Sequence, residues 1–340
     1  MNKRTPLWIY ILLFIISFIT CMIAGTQWAF KDYSQIENWH YGLQYAVLVL
    51  TFLTAHEFGH YFAARYHKVD ATLPYYIPFP FPQIPLNFGT MGAVIKTRDQ
   101  IPHKKALFDI GIAGPLAGFV VCIIFLIYGF THLPGEEFIL SLHPEYSLTG
   151  IPDTGLFFGN TLFFSMMKEL FADPSAFIPP MNEVYHYPFL NVGWFGLFVT
   201  TLNMLPMGQL DGGHIVYAMF GKAHKKVSRI IWWVLIFLGT GGLLKAAYEL
   251  LSLDYSSSFV SALKSFLYPA LSFMNTNLNW WFECWSGWII WAIIGKFFIK
   301  LDHPPVPSKE ELGAGRMLLG WISIIILFLS FSYNGIYIVE

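Results

Sequence analysis

The feature that most constrains this chain is an apolar run of helix length, about Gly42 to Ala64, with His56-Glu57-Phe58-Gly59-His60 in its second half. Read as a helix, the run puts His56 and His60 one turn apart on one face, with both imidazoles aimed at a common point. Two neutral imidazoles at that spacing hold Zn2+, and a glutamate beside the first can take a proton from the water such an ion activates. In soluble proteins the H-E-x-x-H pattern lies on a helix in a wet cleft. Here its neighbours prefer lipid.

The run is one of several. Of the 340 residues 55% are hydrophobic and only 12% charged, against about 25% charged in a soluble domain. Further runs occupy about Leu7–Gly25, Ala106–Phe130, a broken Val192–Phe220, Ile230–Leu251, Trp280–Phe298 and Met317–Val339. Each approaches the roughly 20 residues needed to cross the hydrocarbon core. Ser261 to Met274 is apolar but short and reads as interfacial. The expected fold class is therefore an all-α polytopic membrane protein of six to seven transmembrane helices. Lys3 and Arg4 precede the first run, which exceeds a signal-peptide core in length and reads as a retained anchor. Trp280, Trp281 and Trp285 read as an aromatic belt.

Charge sets the expected orientation. Arg65, Lys68, Lys96, Arg98, Lys104 and Lys105 dominate one loop, and Lys222, Lys225, Lys226 and Arg229 another; the segment 131–191 between them is acidic. A cytoplasmic N-terminus puts both basic clusters inside and the acidic segment outside, as the positive-inside rule requires. The active site then faces the cytoplasm, in a plasma or inner membrane if the source is bacterial. A net charge of −1 gives nucleic-acid binding no electrostatic basis. Cys21, Cys122 and Cys284 form no C-x-x-C pair and read as buried packing residues.

A hydrolytic zinc needs three protein ligands and one open position. Among the other runs, one carries an obvious candidate: Asn203-Met-Leu-Pro206-Met-Gly-Gln-Leu-Asp211-Gly212-Gly213-His214. A carboxylate deep in a bilayer is costly unless paired or metal-bound, and zinc on His56 and His60 supplies Asp211 with a partner. The alternative for Asp211 is a structural carboxylate bonded to loosened backbone around Gly212. Pro206 and Gly208 break the helix, and irregular backbone at that depth is tolerated only against protein or a watery cavity. His214, one turn past Asp211, is either a spare ligand or a hydrogen-bonding neighbour of the site.

The sequence H-E-F-G-H on a span, then A-G-P-L-A-G from Ala113 to Gly118, then N-x-x-P-x-x-x-L-D-G-G resembles the site-2 protease family of intramembrane zinc proteases over about Gly42 to Gly221. The resemblance implies one Zn2+ per chain held by His56, His60 and Asp211, with Glu57 as general base. Asn203 matches the family's asparagine beside the site, a helper in polarising the substrate carbonyl; its other reading is a tie for the helix break before Pro206. The implied partners are the lipid bilayer and a membrane-protein substrate with a transmembrane helix. Many members carry a PDZ domain or a CBS pair, and no segment here is long and polar enough for either.

Three regions are expected: 1–41 as an anchor span with an outer loop, 42–221 as the catalytic membrane core, and 222–340 as C-terminal spans without an assigned role. Gly111, Gly114 and Gly118 give the third run a small-residue face for close packing. Asp109, near the start of that run, reads as a charge favoured by the helix dipole. From Leu73 to Arg98, Pro74, Pro78, Pro80, Pro82 and Pro85 forbid a helix, and the stretch from Gly89 reads as a strand. The expectation is a re-entrant, partly β hairpin whose edge pairs with an unwound substrate; the plainer reading is a loop that covers the site. A di-iron oxygenase would need further histidine boxes, and His67, His103, His143 and His186 are scattered. A transporter or an inactive scaffold with a structural metal site is the non-proteolytic alternative.

Overall fold

The computed structural model describes residues 5–84, 86–253, 258–307 and 310–339. Lys3, Arg4 and Pro85, each used in the sequence reading, lie outside the described residues. Helix α1 (Leu7–Trp28) leads through a short turn into α2 (Leu43–Tyr66), then the hairpin of β1 (Tyr75–Pro78) and β2 (Thr90–Val94), then α3 (Lys104–Thr131). The acidic segment holds α4 (Glu136–Leu142), α5 (Tyr146–Thr149), β3 (Gly155–Phe158) and α6 (Leu162–Phe171). Then come α7 (Pro188–Met204), α8 (Asp211–Phe220), α9 (His224–Ser252), α10 (Ser258–Asn277), α11 (Asn279–Phe282), α12 (Gly287–Ile294), α13 (Ala314–Ser330) and β4 (Ile336–Val339).

The molecule is mainly helical. Among the described residues three helical stretches are long and apolar enough to cross a membrane: α1, α3 and the joined α8–α9 from Asp211 to Ser252. Helix α2 has the length, but His56, Glu57, His60 and Gln44 dilute its apolar character. Outward faces are apolar: Leu7, Ile11 and Ile15 on α1, Trp233 and Phe237 on α9 and Ile325 and Phe328 on α13 are all exposed. Apolar surface on that scale belongs against lipid.

Helices α2, α3 and α7 form the centre. Helix α3 crosses α2 where Gly59 meets the Ala113 backbone and Gly114 meets His60, and it tolerates Pro115 in its interior. Side chains at either glycine would force the helices apart, so the expected small-residue face is where the two helices touch. On the far side Gly193 and Gly196 of α7 meet Leu126 and Cys122 of α3. All three cysteines are buried and unbridged.

The β1–β2 hairpin is antiparallel, with Tyr75 opposite Val94 and Tyr76 opposite Ala93. It lies along α1: Tyr10 bonds Tyr75 near one end, Thr20 Oγ1 donates to the Gly89 carbonyl in the middle, and Gln27 donates to the Pro82 carbonyl at the other. From Tyr10 to Gln27 the contact follows about 25 Å of helix.

Three readings of the sequence are corrected. The run Met317–Val339 is not one helix: α13 stops at Ser330, the chain turns through Gly335 at φ 50°, and β4 pairs antiparallel with β3. The run Trp280–Phe298 is broken between α11 and α12, where the Trp285 amide bonds the Tyr333 carbonyl instead of continuing a helix. Asp109 lies beyond the first turn of α3, and its partners are side chains, the His67 imidazole and the Arg316 guanidinium, not the helix end.

Candidate metal centre

His56 and His60 stand on one face of α2, as the four-residue spacing requires. Their Nε2 atoms are 3.1 Å apart. Asp211, the first residue of α8, closes the triangle: Oδ2 is 3.4 Å from His56 Nε2 and Oδ1 is 3.4 Å from His60 Nε2. Both histidines are buried and Asp211 nearly so.

The break between α7 and α8 puts Asp211 there. Pro206 ends the first helix, and Gly208 turns the chain at φ 48° with its amide on the Leu301 carbonyl. Gly212 and Gly213 press against the carbonyls of Met204 and Gly208, so the new helix starts hard against the old one. Any side chain at Gly212 would push Asp211 off the histidines.

The donor set fits a zinc-class ion. Four-coordinate zinc with bonds of 2.0–2.1 Å has ligand atoms about 3.3 Å apart, and the observed separations are 3.1 and 3.4 Å. His60 Nδ1 lies 2.6 Å from the Ile110 carbonyl. A carbonyl only accepts, so the proton is on Nδ1 and the Nε2 lone pair points at the other donors. His56 Nδ1 is buried without a hydrogen-bond partner, so its Nε2, facing His60 and Asp211, is the nitrogen free to ligate a cation placed between them.

Glu57, Asn203 and His214 line the same cavity of about 310 Å³, together with Ala93, Val94 and Ile95 around the end of β2. Glu57 is buried beside the two histidines. Asn203 reaches the cavity wall from the last turn of α7. His214 does not join the triad: its Nδ1 lies 2.8 Å from His303 Nε2. His303 was not singled out by the sequence reading. Its Nδ1 donates to the Pro304 carbonyl at 2.6 Å, leaving Nε2 to accept from His214. Burial pulls the His303 imidazole below its ordinary pKa, which keeps it neutral and able to accept. The pattern P-x-x-x-L-D-G-G-H gives no hint of a partner 89 residues away.

Neither His67 nor His103 adds a ligand to the triad. His103 caps α3 by accepting from the Ala106 amide at 3.0 Å, and His67 bonds Asp109 at 2.8 Å.

A sequence model of peptidase family M50 matches residues 44–241. Similar curated proteins include the probable zinc metalloprotease EGY1, chloroplastic, of Arabidopsis thaliana, 30% identical over 174 residues that cover 51% of this chain and 29% of that protein. Its namesake from Oryza sativa subsp. japonica is 32% identical over 176 residues, 51% of this chain and 27% of that protein. The probable zinc metalloprotease EGY2, chloroplastic, of Oryza sativa subsp. indica is 27% identical over 202 residues, 59% of this chain and 33% of that protein. The chain thus spans about a third or less of the length of these relatives. No solved structure matches. The matched segment contains α2, α3, α7, α8 and every residue of the metal triad, and the chain belongs to peptidase family M50, the family that its paired H-E-x-x-H and L-D-G motifs resemble.

Proposed function

We propose that this protein is an intramembrane zinc endopeptidase that hydrolyses peptide bonds in or beside the transmembrane helices of membrane proteins. One observation carries the proposal: His56, His60 and Asp211 converge at tetrahedral-edge distances on a cavity that also holds a buried glutamate. The relatives named as zinc metalloproteases support zinc as the ion, and His56, His60 and Asp211 are the residues that hold it.

When bound, zinc lowers the pKa of a water toward about 7 and polarises a carbonyl oxygen. The chain's own residues do the rest. Glu57 takes the proton from the attacking water, holds it in the buried cavity and returns it to the leaving amine. Asn203, which lines the same cavity, is the residue proposed to donate its amide N–H to the carbonyl oxygen as charge builds there. His60 is kept in the ligating tautomer by the Ile110 carbonyl. A helical peptide hides its amides, so the substrate must open before attack. Residues Ala93 to Ile95, at the end of β2, border the cavity and offer it an extended edge.

In the bilayer, the six to seven spans expected from the sequence comprise α1, α2, α3, the broken α7–α8 with α9, and the shorter α12 and α13. The hairpin is re-entrant, because its contact with α1 runs for most of a hydrocarbon thickness. The N-terminus and the metal face the side of the two basic clusters, the cytoplasm if the membrane is bacterial. Pairing of β4 with β3, at the edge of the acidic segment, supports an odd number of spans, seven rather than six. A transporter or scaffold leaves Glu57 in the cavity without a task.

The test is Glu57→Gln in the purified protein with a single-span membrane substrate. Cleavage should fall by at least about a thousandfold, while bound zinc per chain stays at the wild-type value. A variant that cleaves at the normal rate overturns the mechanism.

A further inference from the structure

Histidines that look scattered along the sequence are not all scattered in space. His143, just after α4, and Glu183 and His186, in the turn before α7, bring their donor atoms within 4.8 Å of one another, and all three are buried. Among the described residues this is the second such group, at the opposite end of α7 from the metal triad.

Hydrogen bonds fix the tautomers. His186 Nδ1 lies 2.6 Å from the Trp28 carbonyl, and His143 Nδ1 lies 3.1 Å from Glu145 Oε1. Carbonyl and carboxylate oxygens only accept, so both rings carry their proton on Nδ1. The two bare Nε2 atoms then face each other at 3.2 Å. Glu183 Oε2 stands 3.4 Å from His186 Nε2. The Tyr146 hydroxyl donates to Glu183 Oε1 at 3.0 Å, which leaves Oε2 buried without a hydrogen-bond partner. With both rings neutral and Glu183 ionised, three lone-pair donors converge with no proton among them. That arrangement is costly in a buried place unless a cation fills it.

The inner triad shares the donor set and the imidazole spacing, although there both carboxylate oxygens face the rings, whereas Glu183 turns one oxygen to His186 and the other to Tyr146. Its imidazole nitrogens are 3.1 Å apart, its carboxylate oxygens are 3.4 Å from them, and one Nδ1 rests on a backbone carbonyl at 2.6 Å. Two imidazoles and a carboxylate select a zinc-class transition ion over calcium or magnesium, which take oxygen donors. We propose that His143, Glu183 and His186 form a second metal site, for one Zn2+ or a similar divalent transition ion, which staples the two ends of the acidic segment together beside the Trp28 end of α1, where His186 is bonded to the Trp28 carbonyl. Its role is structural. Phe30 packs on both rings, at centroid distances of 4.4 and 6.1 Å, and the three donor residues are themselves buried.

The test counts zinc by elemental analysis after the full-length protein in detergent is loaded with Zn2+ and desalted. Wild type should hold two ions per chain, His56→Ala/His60→Ala one, His143→Ala/His186→Ala one, and the fourfold variant none. Failure of the inner site shows as a count that does not fall in His56→Ala/His60→Ala, so the two readings fail separately. Should His143→Ala/His186→Ala not fold, Glu183→Gln in the His56→Ala/His60→Ala background replaces it, with zinc affinity by chelator competition down by about tenfold or more. In that same background Zn2+ should raise the Tm. No ion in His56→Ala/His60→Ala, or unchanged affinity in the Glu183→Gln variant, would overturn the proposal; either would leave an imidazolium shared between the rings as the explanation of the cluster.

Discussion

Gly114 lacks a side chain because His60 occupies the space. A methyl group built there lands inside the imidazole, whereas one at Gly118 meets His56 Nδ1 at 3.3 Å and Phe52 at 3.0 Å. Gly111 meets the His214 Cβ at 2.7 Å in the same way. Three glycines on one face of α3 thus abut three histidines of the site, and bare helix becomes the wall against which the ligands are set. Gly114→Ala should displace His60 and lower zinc affinity by tenfold or more, as the loss of ligand positioning does at other metal sites. Gly118→Ala should do so less, and Gly315→Ala, where a methyl meets nothing, should leave zinc binding unchanged. Competition with a chelator measures all three, and equal affinities would remove the glycine wall from the argument. At this scale the sequence was readable where chemistry is local. His56, Glu57 and His60 announce themselves by their spacing, and Asp211 by being an acid in an apolar run. His303 is silent because its partner is 89 positions away. Glu183 and His186 did offer a signal, E-x-x-H three residues apart in the chain, but it takes on meaning only once His143 is brought beside it.

At the scale of elements, the hairpin was legible because proline and glycine have few backbone options. Five prolines ruled out a helix, and the strand expected from Gly89 forms from Thr90 to Val94. The seventh run was misread because apolar content does not distinguish a helix from a strand on a covered edge. Ser332-Tyr333-Asn334-Gly335 carries the turn signal that divides α13 from β4. The hairpin also separates two roles that a covering loop would merge. If β2 only shields the metal, losing one backbone N–H matters little; if its edge holds an opened substrate, it matters greatly. Ala93→Pro puts the change opposite Tyr76 and at the cavity wall, and proline in a paired strand removes a donor and disturbs the ladder. Cleavage should drop by about tenfold or more with zinc content unchanged, measured side by side on one preparation. Normal cleavage by a well-folded variant would return the hairpin to the role of a cover.

Across the whole molecule, residues beyond the matched family segment brace the core. The chain from Lys300 to Leu301 lies against Gly208, Ser228 Oγ donates to the Leu301 carbonyl, and His303 backs His214. The most consequential brace is Asp109. Arg316 at the start of α13 grips it through two bonds of 2.8 and 2.7 Å, and His67 after α2 adds a third of 2.8 Å. Three distant stretches meet at one carboxylate, and the next residue, Ile110, supplies the carbonyl that orients His60. A bidentate guanidinium pair that is partly buried is stronger than a surface ion pair, because geometry is fixed and water is thinned around it. Asp109→Asn and Arg316→Ala should each cost about 1.5–3 kcal/mol, and the double variant should cost less than their sum by about 1–2 kcal/mol, since either change alone removes the same contact. Unfolding in a detergent titration measures the cycle. If the costs add, the brace carries no coupling and the C-terminal helix only rests on the core. If they do not, Asp109→Asn should also weaken zinc binding modestly, because an unanchored start of α3 no longer holds the Ile110 carbonyl firmly against His60.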